Sequence, residues 1–227
     1  MKRGTIKKVT FSIVGLLLLF VIIVFVNFKI FEKHWSDVSL GQPIAHYGER
    51  RAALLVIDVQ EGTTGYVSRN AFYKENADSL ISIINRIADI FKASNALVVY
   101  ARSEISNPLI NLLDNSYAKG SIGANFDRRL KLKSDLEVVK VGNDTFADTN
   151  LDSILISNKI SDLYMVGLDA AYCIDVTSEA AQNRNYRINL IEEAILSESE
   201  ATKDGMMADF RNRGIEVVNF NNIKIAE

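Results

Sequence analysis

Met165-Val166-Gly167-Leu168-Asp169-Ala170-Ala171-Tyr172-Cys173 runs from an apolar, strand-like start to the only cysteine of the chain, with a helix-like segment directly behind it. A thiol placed where a strand turns into a helix is a candidate nucleophile, because the unpaired N–H groups and partial positive charge of a helix start favour a thiolate. A lone cysteine equally fits a small buried hydrophobe. Two other strand-like runs bear on that choice: Ala53 to Ile57 leads into Asp58, and Leu136 to Val139 leads into Lys140. In an open parallel sheet the carboxyl ends of the strands share one edge, where ligands bind. An acid, a base and a thiol delivered there by three strands can meet.

Outward from these runs the pattern alternates strand and helix. Apolar runs rich in β-branched residues occur at 53–58, 96–101, 136–141, 162–167, 186–191 and 215–219. Between the first two, Leu80, Ile81, Ile84, Ile87, Ala88 and Phe91 recur at helical spacing within 72–91. Further helices are predicted over 151–157, 173–183 and 200–213. This order predicts an α/β fold, a three-layer α/β/α sandwich around a mainly parallel six-stranded sheet of Rossmann-like kind.

Ahead of that domain, Phe11 to Phe28 is almost entirely apolar, with Met1, Lys2, Arg3, Lys7 and Lys8 in front of it. A run of this length crosses a hydrocarbon core as a helix. The expected organisation is a basic cytoplasmic N-terminus at 1–9, a transmembrane helix at 10–28, a juxtamembrane linker at 29–50 and the α/β domain at 51–227. A cleaved signal peptide shares the basic start. The apolar run is longer than a usual h-region, however, and Asn27 to Phe31 lacks the small residues of a cleavage site. The reading is an uncleaved single-pass anchor in the cell membrane with the domain on the extracytoplasmic side, although Lys29 and Lys33 on the far flank reduce the charge asymmetry.

The linker holds the only tryptophan, Trp35, both histidines, His34 and His46, and Pro43. Trp35 suits either lipid headgroups or packing on the domain; the histidines read as surface residues. Residues 1–33 carry six lysines or arginines and one glutamate, so the whole-chain charge of −2 leaves the remainder at about −7. An acidic domain is a poor nucleic-acid binder. A single cysteine excludes an intramolecular disulfide, and a free thiol outside the cell is exposed to oxidation.

Three blocks carry a family resemblance. Leu55-Val56-Ile57-Asp58-Val59-Gln60, then Lys140-Val141-Gly142-Asn143-Asp144-Thr145-Phe146 with Leu151 to Leu155 behind it, then Gly167-Leu168 through Cys173 to Thr177 and Ala180, together resemble the isochorismatase-like cysteine hydrolases. That superfamily includes nicotinamidases and N-carbamoyl amidohydrolases, and the likeness spans roughly residues 50 to 220. It implies a catalytic triad of Asp58, Lys140 and Cys173 acting on a small-molecule amide. Cys173 would attack the carbonyl and form a thioester, Asp58 would carry the proton to the leaving amine, and Lys140 would lower the thiol pKa and hold Asp58. The backbone N–H groups of Asp169 and Cys173 would form the oxyanion site, with the Leu168–Asp169 peptide cis as in the family.

Other assignments stay open between function and packing. Gln60 could orient substrate or hydrogen-bond a loop. Arg102 could pair with a substrate carboxylate or with Glu104, and Tyr172 could line the pocket or pack. Phe126 and Tyr117 are candidates for the pocket or for a subunit interface, since members of the superfamily form homo-oligomers.

The chain also departs from the family. Nicotinamidases carry an Asp-x-His motif and a later histidine that bind a metal, whereas here the matching region reads Tyr100-Ala101-Arg102-Ser103-Glu104-Ile105 and the domain has no histidine. No metal and no cofactor are expected. A threonine usual three residues before the nucleophile is Ala170, and a glycine usual after the following helix is Asn185, which tolerates the left-handed conformation. Two other readings remain beside the amidase: an isochorismatase-type ether hydrolase that does not use the thiol, and a binding or scaffold module without turnover.

Overall fold

The computed structural model describes residues 2–223 and 225, with side chains described from residue 10 onward. Met1 lies outside the described residues, and the side chains of the basic segment 1–9 lie outside those described.

Six strands form one parallel sheet in the order β3-β2-β1-β4-β5-β6. They are β1 (Ala52–Ile57), β2 (Leu97–Ser103), β3 (Glu137–Lys140), β4 (Asp162–Gly167), β5 (Arg187–Ile195) and β6 (Glu216–Val218). β1 sits at the centre, Ile57 pairing with Ala101 on β2 and with Gly167 on β4. Both central strands β1 and β4 are buried along their whole length, the state in which strands read as continuous apolar runs.

The alternation of side chains divides the core in two. Ala53, Leu55, Ile57, Val99, Ala101, Leu163 and Met165 pack on Leu151, Leu155, Ala180, Met207 and Phe210. Those partners come from α4 (Leu151–Ser157), α5 (Asp175–Asn183) and α6 (Glu200–Asn212). On the other face Leu54, Val56, Val98, Tyr100 and Val166 meet Leu80, Ile84, Ile87 and Phe91 of α2 (Ala71–Ala93). Helices therefore cover both faces, as the sequence pattern predicts.

The differences are local. A short helix, α3 (Pro108–Leu113), is not anticipated by periodicity because six residues hold under two turns. Its start is nonetheless marked, with Asn107 accepting from the Leu109 and Ile110 amides ahead of a proline in the first turn. The helix expected from Cys173 is in fact two pieces, a wide π-helical turn at Ala170–Ile174 and then α5. Asn185 follows α5 with φ 64°, in the left-handed region expected for it.

The N-terminal helix α1 runs from Lys2 to Trp35, past the boundary expected at 28. Its stretch Thr10–Trp35 is long and apolar enough to cross a membrane, and none of its apolar window is buried against the domain. A signal sequence shares that profile. The following segment is docked on the domain: the Ile44 amide donates to the Arg184 carbonyl at 2.9 Å, and Val38 and Ile44 pack on the core. His34 is exposed beside Asp37, its Nδ1 at 2.6 Å from the carboxylate, and His46 is exposed.

Candidate active site

Four neighbouring strand ends build the site. Asp58 follows β1, Ser103 ends β2, Lys140 ends β3, and the turn after β4 leads to Cys173. Ser103 and Lys140 are register partners, and adjacent strands lie about 4.8 Å apart, so side chains on one face of these ends converge. Gly167 lets the chain leave β4 here: its φ is +114°, and a Cβ would stand 2.0 Å from the Ile57 carbonyl oxygen. Asp58 adopts φ 54°, a left-handed conformation that aspartate tolerates.

Lys140 is the hub. Its ammonium lies 2.8 Å from Asp58 Oδ2 and donates to Cys173 Sγ at 3.3 Å, to Ser103 Oγ at 3.0 Å and to the Gly142 carbonyl at 3.0 Å. The Ser103 hydroxyl in turn donates to Asp58 Oδ1 at 3.1 Å. The Cys173 thiol donates to Asn143 Oδ1 at 3.3 Å. The Lys140 side chain is fully buried and that of Asp58 is 6 % exposed, so the ion pair sits where its attraction is poorly screened.

The electrostatics bear on one expectation. Burial pushes the Cys173 thiol up, to about 12; Asp58 adds to the rise, and Lys140 opposes it without prevailing. This direction is opposite to the depressed thiol expected from a helix start and a neighbouring lysine. The π-helical turn offers one reason, since the regular helix begins only at Asp175. Burial also opposes the Lys140 charge, yet Asp58 and Cys173 outweigh it and hold the ammonium above its ordinary value. A neutral thiol beside a buried ion pair can still act as a nucleophile if its proton leaves to the carboxylate as sulfur attacks.

The Leu168–Asp169 peptide is cis. Among the described residues the Asp169 amide has no hydrogen-bond acceptor. The Asp169 side chain is pinned: Tyr73 donates to Oδ2 at 2.6 Å, while Ser197 at 2.9 Å and the Ala171 amide at 2.7 Å donate to Oδ1. Tyr117 lies near Asp58 and Cys173. Its phenol is raised chiefly by burial and then by the Asp58 charge, and its ring lies against Gly62, where a Cβ would come within 2.8 Å of it.

Gln60 and Arg102 do not reach this cluster as substrate ligands. Gln60 is fully buried with its amide already engaged, donating to the carbonyls of Ser103 and Ala124 and accepting from the Ser103 amide. It locks the β2 end to the 122–126 loop. Arg102 neighbours Ser103 on β2, so strand alternation turns it to the other face, where it pairs with Glu104 at 3.0 Å and Glu137 at 2.5 Å. Tyr172, next to Cys173, is 47 % exposed. Phe126 stacks edge-on with Tyr100 in the core, centroids 5.9 Å apart. Ala170 is fully buried and its amide donates to the Leu196 carbonyl at 2.9 Å.

The region that the resemblance aligns with a metal site does not fit one. Glu104 is bound to Arg102 and the Ser103 hydroxyl to Asp58 and Lys140, and among the described residues no three His, Cys, Asp or Glu side chains converge as a ligand set.

Sequence reasoning missed Ser103, Asn143 and Tyr73. For Asn143 a signal was available, since it lies three residues beyond Lys140 in a quoted block. Ser103 was legible only as the last residue of a strand beside the strand end that carries Lys140.

Comparison with known proteins follows the same lines. A model of the isochorismatase domain matches residues 52–221. The uncharacterized isochorismatase family protein YrdC of Bacillus subtilis is 22 % identical over 180 residues, covering 78 % of this chain and 87 % of that protein. The crystal structure of N-carbamoylsarcosine amidase from Thermoplasma acidophilum superposes with a TM-score of 0.65 at 26 % identity, covering 77 % of this chain and 99 % of that one. Nicotinamidase PncA from Bacillus subtilis has the same fold, with a TM-score of 0.63 at 20 % identity over 74 % of this chain and 99 % of that one.

Proposed function

Since the chain belongs to the isochorismatase family of hydrolases, we propose that it is a membrane-anchored cysteine hydrolase that cleaves a C–N bond of a small amide. The observation that carries this reading is the position of Lys140 Nζ, 2.8 Å from Asp58 Oδ2 and 3.3 Å from Cys173 Sγ. Similarity to N-carbamoylsarcosine amidase supports the amide class.

In the first half-reaction Cys173 Sγ bonds to the substrate carbonyl carbon while its proton passes to Asp58. The carbonyl oxygen becomes an oxyanion against the amides of Asp169 and Cys173, donors fixed before the charge develops. Collapse breaks the C–N bond as Asp58 returns the proton to the leaving nitrogen, and a thioester remains. Water then adds to the thioester, giving its proton to Asp58. The C–S bond breaks, and the sulfur recovers the proton. Lys140 stays charged throughout, holding the carboxylate and countering the developing negative charge on sulfur.

The protein enters the membrane through α1, with the basic residues before the span on the cytoplasmic side and the domain on the opposite side.

The experiment is a screen of small primary amides and N-carbamoyl compounds for ammonia release, with intact-mass analysis of acid-quenched protein. Ammonia release with an acyl adduct on Cys173, both lost in Cys173→Ala, is the expected result. Ammonia release by Cys173→Ala at the wild-type rate would refute the covalent mechanism.

A further inference from the structure

Resting on the triad reading above, we propose that Ser36 and Asn143 are positioning residues for the nucleophile, so that the end of the N-terminal helix belongs to the support of the active site.

Asn143 is buried and has every polar group engaged. Its amide donates to the Trp35 carbonyl at 2.8 Å, and its carbonyl accepts from Thr177 Oγ1 at 3.2 Å. Its side-chain Nδ2 donates to Ser36 Oγ at 2.8 Å, which leaves Oδ1 facing the Cys173 thiol at 3.3 Å. The two neighbours of Asn143 are bound to the same segment and the same site. Gly142 offers its carbonyl to Lys140 Nζ, and a Cβ there would stand 2.9 Å from the Trp35 carbonyl oxygen, so only glycine permits this approach. Asp144 Oδ2 accepts from the Ser39 amide at 2.8 Å. Residues 35–39 thus clamp 142–144, the loop that touches both Lys140 and Cys173.

The direction of the effect follows from the donor. The sulfur donates, so the bond exists only in the neutral form and favours thiol over thiolate. Ser36 contributes by fixing the rotation of the Asn143 amide. If Nδ2 lost its partner, the amide would turn freely and the thiol would lose a fixed acceptor. The clamp keeps the nucleophile protonated until Asp58 takes the proton, and it ties that state to the last turn of the helix.

The test is iodoacetamide alkylation of the full-length protein in detergent micelles as a function of pH, Cys173 being the only reactive thiol. A hydrogen bond worth about 1 kcal/mol corresponds to roughly fivefold in thiolate population, so Asn143→Ala is expected to alkylate roughly fivefold faster than wild type near pH 8. Ser36→Ala is expected to accelerate alkylation in the same direction, Ser36→Thr to restore the wild-type profile, and Ser36→Ala to add nothing in an Asn143→Ala background. A Ser36→Ala profile matching wild type, or an effect that adds in full to Asn143→Ala, would overturn the proposal. Asp58→Asn serves as the companion variant: if it shifts the profile while Ser36→Ala does not, the triad stands and the clamp falls. If neither shifts it, both fall. A circular dichroism melt of each variant ensures that the compared proteins are folded.

Discussion

Ser103 and Lys140 are register partners at the ends of adjacent strands, and the serine hydroxyl accepts from the lysine ammonium at 3.0 Å while donating to Asp58 at 3.1 Å. A neutral hydroxyl thus closes a ring between two buried charges. It occupies a lone pair of the carboxylate that the lysine does not reach, which is the condition for a buried ion pair to be tolerated.

Removing that hydroxyl by Ser103→Ala leaves Asp58 short of one donor in a buried site. A hydrogen bond to a charged group contributes about 1.5–3 kcal/mol, so the urea midpoint is expected to fall by a corresponding amount. If Ser103 acts by holding Asp58 and Lys140 in place, the turnover number should drop more than KM changes. A variant with the wild-type midpoint and turnover would remove Ser103 from the network.

Lys140→Met strands the Asp58 carboxylate without its cation, and breaking a buried pair in this way costs about 3–5 kcal/mol. Asp58→Asn/Lys140→Met removes both charges together. The double variant should therefore be more stable than Lys140→Met alone, although neither should turn over substrate. Equilibrium denaturation of the two proteins decides it: a double variant less stable than the single one would mean that the charges are not coupled as the 2.8 Å contact requires.

The thiol gives a pH prediction with a definite sign. Its folded value is raised, to about 12, above an ordinary thiol near 8.5. The folded state therefore holds this proton over a range in which the unfolded chain has released it. The resulting contribution to stability is complete below about pH 8.5 and is lost as pH rises from there towards the folded value. Alkylation of the native protein should still be accelerating at about pH 10, whereas the urea-unfolded chain should level off about one unit above the ordinary thiol value. Asp58→Asn removes a charge that raises the thiol and should move the native profile to lower pH. A native profile that levels off with the unfolded one would contradict the burial of the sulfur.

The sheet was legible because each strand is bounded by a change in composition that burial imposes. β1 is Ala52 to Ile57 without a polar residue, and it ends at the first charge, Asp58. Lys140 could be singled out as the residue that ends a strand-like run, and Cys173 as the only cysteine, placed between a strand and a helix. The reading failed where a side chain's direction mattered. Gln60 and Arg102 lie at the correct sheet edge in sequence, but one amide is spent on backbone and one guanidinium turns to the opposite face. The upward direction of the thiol's shift could not be read from sequence because desolvation depends on what covers the site, and Asn143, the neighbour that the helix end brings with it, lies far from Trp35 and Ser36 in sequence.

Tyr73 offers a test of the turn that carries the Asp169 amide. Its hydroxyl donates to the Asp169 carboxylate at 2.6 Å, from α2 on the other side of the sheet, and the phenol is pushed well above its ordinary value by burial and by that bond. Tyr73→Phe deletes one of three donors to Asp169 and should lower stability by about 1–2 kcal/mol. If the Asp169 amide is an oxyanion donor, loosening its side chain should also reduce turnover with little change in KM. Unchanged turnover in the phenylalanine variant would separate the carboxylate's anchoring from the amide's placement.

The N-terminal helix makes the last prediction. In the docked segment, Ser36 to Ile44 reaches the domain through the Asp144, Arg184 and Asn143 contacts, so α1 and the site are joined by only a few residues of chain. A retained anchor predicts a full-length N-terminus and a chain that stays with membranes in alkaline carbonate. Leu17→Lys together with Leu18→Lys places two charges at the centre of the span, each costing about 2.5–3.5 kcal/mol of insertion, and should release the chain to the soluble fraction. Protease added to intact cells or to sealed spheroplasts would reach the domain if it lies outside. A mature N-terminus beyond residue 28, or a wild-type chain extracted by carbonate, would instead assign the apolar segment to export.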